Sequence, residues 1–215
     1  MDVSHLATSF RASLPPWVLA ELMTEPDVLV GLDDRMRVVN RLAARNAREG
    51  GGGPFAALVV DAETGNVLAV GVNQVLASNL SVTHAEVMAL SLAQAALGRW
   101  DLGAAVDPRR QLVVNWRPCA QCYGAVLWSG VSSLVIAGEG PEVEKLTSFD
   151  EGPVAADWAD ELRGRGIEVV VGVRREEALA VFREYGRAVA GGEVTVYNAR
   201  GTGTGMGGTT GTGGG

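Results

Sequence analysis

The sequence predicts a three-layer α/β/α sandwich built on a five-stranded mixed sheet, and three observations carry that prediction. Short apolar runs alternate with segments of helical period from residue 55 to residue 190. Runs such as 55–60 are continuous rather than alternating, the pattern of strands covered on both faces. The first two runs, joined by Ala62-Glu63-Thr64-Gly65, read as a hairpin ahead of the alternating units. Together these imply a mostly parallel sheet with helices on both faces and one antiparallel pairing at its edge.

Each element has its own signal. Pro15 and Pro16 open the run Trp17-Val18-Leu19-Ala20, enough for one or two helical turns. Asp33 and Asp34 precede Met36, Val39, Leu42, Ala43 and Asn46 at helical spacing, and the glycines at 50–53 end that helix. Residues 55–60 and 67–72 are the hairpin strands. A helix over 84–97 stops at Gly98. Leu112-Val113-Val114 is a strand, and 118–129 a helix that tolerates Pro118 in its first turn. Strands at 134–137 and 167–171 alternate with helices at 154–164 and 174–190. Composition divides the chain into a helical N-terminal extension over 1–50, a main domain over 51–192 and a segment over 193–200 expected near a pocket. The tail over 201–215 holds nine Gly, five Thr and one Met and reads as flexible.

Composition also excludes function classes. The 215 residues are 47% hydrophobic and 20% charged, which supports a sizeable core. Eighteen basic against 25 acidic residues leave a net charge of −7, a poor match to a phosphate backbone. Nucleic acid is therefore not the expected partner. Two cysteines three positions apart cannot build a disulfide framework. No apolar run reaches the roughly 18 residues of a membrane span, and the N-terminus lacks a signal-peptide pattern. A cytoplasmic protein with no membrane partner is expected.

The chemistry concentrates in His84-Ala85-Glu86 and Pro118-Cys119-x-x-Cys122. Taken singly these are weak signals: a Cys-x-x-Cys fits a redox pair, half of a structural zinc site or two buried thiols, and a lone histidine is often a satisfied core residue. Their combination is stronger. The only two cysteines sit at one helix start, and one of only two histidines sits at the preceding one. In a strand–helix–strand crossover, both helix starts emerge at the carboxyl ends of strands, where α/β sheets place ligands. One imidazole and two thiolates give Zn²⁺ three ligands and leave a fourth position for water, as catalytic sites do. The positive ends of both helices favour the thiolates. Glu86, two residues from His84, does not share its face and is available as general acid and base toward the water. Hydrolytic deamination of an amidine carbon in a heteroaromatic ring is the chemistry such a set suits.

His-x-Glu with Pro-Cys-x-x-Cys is the signature of the zinc nucleobase deaminases. From about Gly52 to Val171 the chain resembles the cytidine deaminase-like superfamily, in its guanine deaminase and nucleoside deaminase branch. The resemblance rests on that signature and on Gly53-Pro54-Phe55-Ala56-Ala57, Gly71-Val72-Asn73, Thr83-His84-Ala85-Glu86-Val87, Gly124-Ala125 with Trp128, and Phe149-Asp150-Glu151. It implies the cytidine deaminase-like fold, with His84, Cys119 and Cys122 as zinc ligands and Glu86 as proton shuttle. It also implies that Asn73 hydrogen-bonds the base, that Phe55 and Trp128 stand near the pocket, and that Glu151 binds the purine edge. Each substrate assignment has a plainer reading: a turn residue for Asn73, core aromatics for Phe55 and Trp128, and solvated charge for Glu151.

The chain departs from the family in three places. Arg117 precedes Pro118 where the family usually has Glu, and Trp116 stands before it. Ala120-Gln121 separates the cysteines in place of Pro-Met, and Leu80-Ser81-Val82-Thr83 replaces the Asp-Pro-Thr that leads to the histidine. Arg117, beside the metal loop, is placed to bind a substrate anion or to pair with Glu151. The expected activity is zinc-dependent deamination of a small nucleobase or nucleoside, guanine first, by a homodimer. Cytosine, cytidine or a triazine are the alternative substrates. A nucleic-acid-editing deaminase fits the acidic chain less well, and a non-catalytic zinc protein leaves Glu86 and Asn73 unexplained.

Overall fold

Strand β1 (Ala56–Asp61) is buried along its whole length, as its unbroken apolar run requires. In the computed structural model, which describes residues 1–104 and 108–198, this strand lies inside a five-stranded sheet. Its alternate residues serve two cores. Ala56, Leu58 and Val60 face one helix layer, and Ala57 and Val59 face the other. The first layer contains α2 (Leu32–Glu49) and α8 (Arg175–Ala190); the second contains α4 (Ala85–Leu97), α5 (Ala120–Ser129) and α7 (Trp158–Gly164). The three-layer sandwich is thus present with its five strands.

The remaining strands are β2 (Val67–Val72), β3 (Arg110–Val114), β4 (Ser133–Ile136) and β5 (Glu168–Val171), in the order β2-β1-β3-β4-β5. β3, β4 and β5 are mutually parallel. β1 is antiparallel to both of its neighbours, with Leu58 opposite Val70 on one side and Val113 on the other. The sequence suggested a single antiparallel pairing at the edge; there are two. The reason is the crossover: α4 carries the chain from edge strand β2 over β1 to β3, leaving β1 as the one reversed strand between them.

Three short helices complete the described fold: α1 (Pro16–Leu22), α3 (Val75–Ser78) and α6 (Glu142–Thr147), the last packed on α8. Neither α3, of 4 residues, nor α6, of 6, is long enough to show a helical period. Helix α2 falls within the expected N-terminal extension, yet Met36, Val39, Leu42 and Ala43 are fully buried against the sheet. It is an integral layer rather than an appendage. The tail over 201–215 lies outside the described residues.

One close approach sets where α4 begins. A Cβ on Gly71 of β2 would collide with the Ala85 carbonyl and the Ala89 amide of α4. Glycine therefore lets the helix start rest directly on the strand. Replacing Gly71 with Ala is expected to lower the unfolding free energy by about 1–3 kcal/mol through overpacking. A urea titration checks this, and a variant as stable as the parent would mean that strand and helix separate freely.

Candidate active site

Two helix starts build the site. His84 is the N-cap residue of α4 and Cys119 that of α5, both with extended backbone, φ −66° and ψ 159° for His84 and φ −65° and ψ 172° for Cys119. The two helices pack side by side on one face of the sheet. Cys122 lies one turn into α5, on the face shared with Cys119. His84 Nδ1 is 3.4 Å from Cys119 Sγ and 3.6 Å from Cys122 Sγ. All three donor atoms lie within 4.8 Å of one another.

The donor set fits zinc. Tetrahedral zinc with sulfur at about 2.3 Å and imidazole nitrogen at about 2.0–2.1 Å separates those two donors by about 3.5 Å. The His84–cysteine separations bracket that value. The thiols divide their roles: hydrogen bonds from Cys122 and then from His84 pull the Cys119 thiol down to about 4, against the effect of burial. Burial pushes the Cys122 thiol well up, with the neighbouring Cys119 adding to it. Cys119 is thus the ready thiolate, and Cys122 holds the proton that a bound cation displaces.

Glu86, in the first turn of α4, is 6% exposed. Burial raises its carboxyl to about 6, and the charge on Cys119 raises it further than His84 lowers it. A cavity of about 470 Å³ opens on Glu86, His84 and Cys119. Phe55, Asn73, Arg117 and Glu151 line it as well. Glu151 is 7% exposed, so it does not belong to the solvated acidic surface around it. Burial pushes its carboxyl well above the usual carboxylate range, as do Cys119 and Glu86, while Arg117 opposes the rise.

Asn73 is held from several sides. Its amide N–H donates to the Phe55 carbonyl at 3.1 Å, and its own carbonyl accepts from Asn46 Nδ2 at 2.8 Å. Its Oδ1 accepts from the Val75 N–H at 3.2 Å. The glycines that end α2 have a second duty here: a Cβ on Gly52 would strike the Asn73 side chain.

Trp128 requires correction. It is 82% exposed and does not line the cavity, nor is it a core aromatic. Six residues separate it from Cys122, about 600° of helix rotation and about 9 Å along the axis, which turns the indole outward. Phe149, from the Phe149-Asp150-Glu151 stretch, and Tyr197 and Asn198, from the 193–200 segment, also line the cavity, although the sequence assigned none of the three a role there. Phe149 meets Phe55 edge-on, with centroids 5.5 Å apart, and Tyr197 at 4.9 Å. Burial pushes the Tyr197 phenol well up, and the Asn73 side chain opposes that rise. Asn198 Oδ1 accepts from the Asp150 N–H at 3.1 Å, and its Nδ2 donates to the Ser148 carbonyl at 2.8 Å. The only sequence signal for this return of the chain is that aromatic and amide residues precede the glycine-rich tail.

A family model for the cytidine and deoxycytidylate deaminase zinc-binding region matches residues 32–138. A tRNA-specific adenosine deaminase of Bacillus subtilis is 32% identical over 145 residues, 66% of this chain and 83% of that protein. The chain belongs to the zinc-binding deaminase family. A guanine deaminase of Bacillus subtilis is 33% identical over 110 residues, 51% of this chain and 65% of the relative, just under two thirds of its length. The solved structure of a guanine deaminase from Nitrosomonas europaea is 41% identical, with a TM-score of 0.79 over 86% of this chain and 100% of that one. Its agreement in fold extends to the α/β sandwich with a five-stranded mixed sheet. The cofactor of this deaminase family is zinc, and His84, Cys119 and Cys122 provide a place for it.

Purified protein is expected to contain one zinc per chain, and Cys119→Ser or His84→Ala to lose most of it. Elemental analysis decides the matter: zinc-free parent protein, or variants that retain full zinc, would overturn the ligand set.

Proposed function

We propose that this deaminase acts on a free nucleobase, guanine before others, with zinc held by His84, Cys119 and Cys122 and with Glu86 as the proton shuttle. The observation that carries the reading is one cavity in which the metal donors meet two buried carboxyls, Glu86 and Glu151, and the amide of Asn73. When bound, zinc supplies Lewis-acid activation of a water molecule.

The protein's own groups do the rest. Glu86 accepts a proton from the attacking water, a role suited to a buried carboxyl raised toward neutrality. The water oxygen bonds to the amidine carbon, C2 in guanine, while the ring C=N electron pair moves to nitrogen and is protonated there. Glu86 delivers that first proton to the ring nitrogen, then takes the proton of the new hydroxyl and passes it to the exocyclic nitrogen, so that the C=O bond forms as the C–N bond breaks and ammonia leaves. Without that proton the nitrogen would have to depart as an anion. Phe55 and Phe149 supply an apolar wall for a flat ring. Asn73 offers an amide to ring donors and acceptors, and Glu151 accepts from the adjacent amino and ring N–H groups that guanine presents. A buried carboxylate left unpaired by the wrong base is costly, which favours guanine over cytosine.

Of the two Bacillus relatives, one is named for tRNA and one for guanine. A net charge of −7 favours the small base, because each phosphate contact relies on a cation. The proposal includes a homodimer, whose interface would cover the exposed indoles of Trp100 and Trp128.

Ammonia release from a panel of guanine, cytosine, cytidine, adenosine and a triazine tests the substrate class. Guanine is expected to be converted fastest, and conversion of cytosine or cytidine without guanine would defeat the purine assignment. Glu86→Gln is expected to keep the zinc and the fold and to lose turnover by at least about 10²–10⁴-fold. Comparable turnover would assign the proton transfer to another group. Glu151→Gln is expected to lower guanine turnover sharply with zinc content unchanged, and equal activity would return Glu151 to a structural role.

A further inference from the structure

Arg117 is the residue at which this chain most visibly leaves its family, with a cation where the family usually has an acid. Its place is defined by the backbone. Pro118 confines Arg117 to an extended conformation, and its N–H donates to the Gly138 carbonyl at 2.9 Å. In an extended segment, side chains two apart emerge on the same side. Arg117 and Cys119 accordingly line the same cavity. Two residues of extended chain set their roots about 7 Å apart, a spacing comparable with the long axis of a purine.

One donor of the guanidinium is left unspent by the protein. Arg117 Nε is buried with no hydrogen-bond partner among the described residues. A buried donor of a permanently charged group is costly to leave unmade. The reaction fixes the orientation of the base: its 2-amino carbon must face His84, Cys119, Cys122 and Glu86. The opposite edge of guanine, carrying the acceptors O6 and N7, then faces away from the metal donors. Two acceptors side by side match the planar fork of an arginine.

We propose that Arg117 reads the O6/N7 edge of the base, so that the cavity selects 2-aminopurines with an acceptor at position 6. This rests on the purine reading above and adds the group that discriminates among purines. Arg117 and Glu151 line the same cavity, where the guanidinium favours the ionised carboxylate; the two residues suit opposite kinds of group on one ring, Glu151 taking donors and Arg117 taking acceptors.

The experiment compares guanine with 2,6-diaminopurine, which keeps the 2-amino group but turns the acceptor at position 6 into a donor. The parent enzyme is expected to favour guanine. Arg117→Met is expected to lower kcat/KM for guanine about 10–100-fold, mostly through KM, with the diaminopurine little affected. Arg117→Lys restores only part of the loss, because an ammonium lacks the fork. Arg117→Glu is expected to reverse the preference toward diaminopurine. Calorimetric binding of 8-azaguanine, which retains the same O6/N7 edge, should weaken by a similar factor in Arg117→Met with zinc content unchanged. Arg117→Gln provides the same comparison should methionine impair folding. Equal losses for both purines, or a fall in kcat alone, would make Arg117 merely the counter-charge of Glu151 and overturn the inference. A parent enzyme that converts neither purine overturns the purine reading itself, whereas one that converts guanine while Arg117→Met leaves the preference untouched overturns this inference alone.

Discussion

His84 and Cys119 are both helix caps, and the site depends on what a cap residue is. Its backbone is still extended, so its side chain stands clear of the helix, while the helix behind it is already anchored by packing. Ala85 and Ala89 fix α4 on β2 and β1, and Val126 fixes α5 on the same face. The separations of 3.4 Å and 3.6 Å among the donors are therefore set by the sandwich, not by the metal loop alone. Both helix starts also bring the positive ends of their dipoles to the donors, which favours thiolate there. The reversed strand β1 is part of this arrangement: because α4 must cross it to reach β3, α4 and α5 begin at the same end of the sheet.

That concentration of negative charge has to be balanced. The charge on Cys119 raises the carboxyls of Glu86 and Glu151, Glu86 raises Glu151 as well, and both carboxyls are buried. A divalent cation held by His84 and the two cysteines relieves the first part of the conflict. Arg117 relieves part of the remainder at Glu151. Glu86 stays between the two, close enough to the metal donors to handle a water proton and too buried to remain an ordinary carboxylate. The cavity thus combines groups that are individually unfavourable, which is the usual mark of a site kept for chemistry rather than for stability.

The parts legible in the sequence were those with a local cause. Continuous apolar runs gave five strands, helical periods gave the long helices, and the pairing of rare residues at two helix starts gave the metal donors. What was missed had a non-local cause. Nothing in the hairpin sequence says that β1 will sit inside the sheet, because that follows from where the crossover lands. Trp128 went astray because a motif position was carried over without its helical phase. The burial of Glu151 depends on the loop that brings it over α5, where its carbonyl accepts from the Ala120 N–H at 2.9 Å. Tyr197 and Asn198 lie in the 193–200 segment expected near a pocket, but a short irregular segment has no period to say which of its side chains enter.

That returning segment bears on the size of what enters. Tyr197 stands 6.3 Å from the His84 ring, centroid to centroid, and leans on Phe149, which stacks on Tyr185 of α8. Asn198 ties the same segment to the loop before Glu151 through two hydrogen bonds. The segment that holds Tyr197 and Asn198 thus lines the cavity together with His84, Cys119, Phe55 and Asn73. A polynucleotide would need that side open for the chain on either side of its target base, together with cations to meet its phosphates. A free base needs neither, and gains from a wall that keeps bulk water away from the reacting carbon. The enclosure by Tyr197 and the net charge of −7 therefore both support the proposed free-base reading over a polynucleotide.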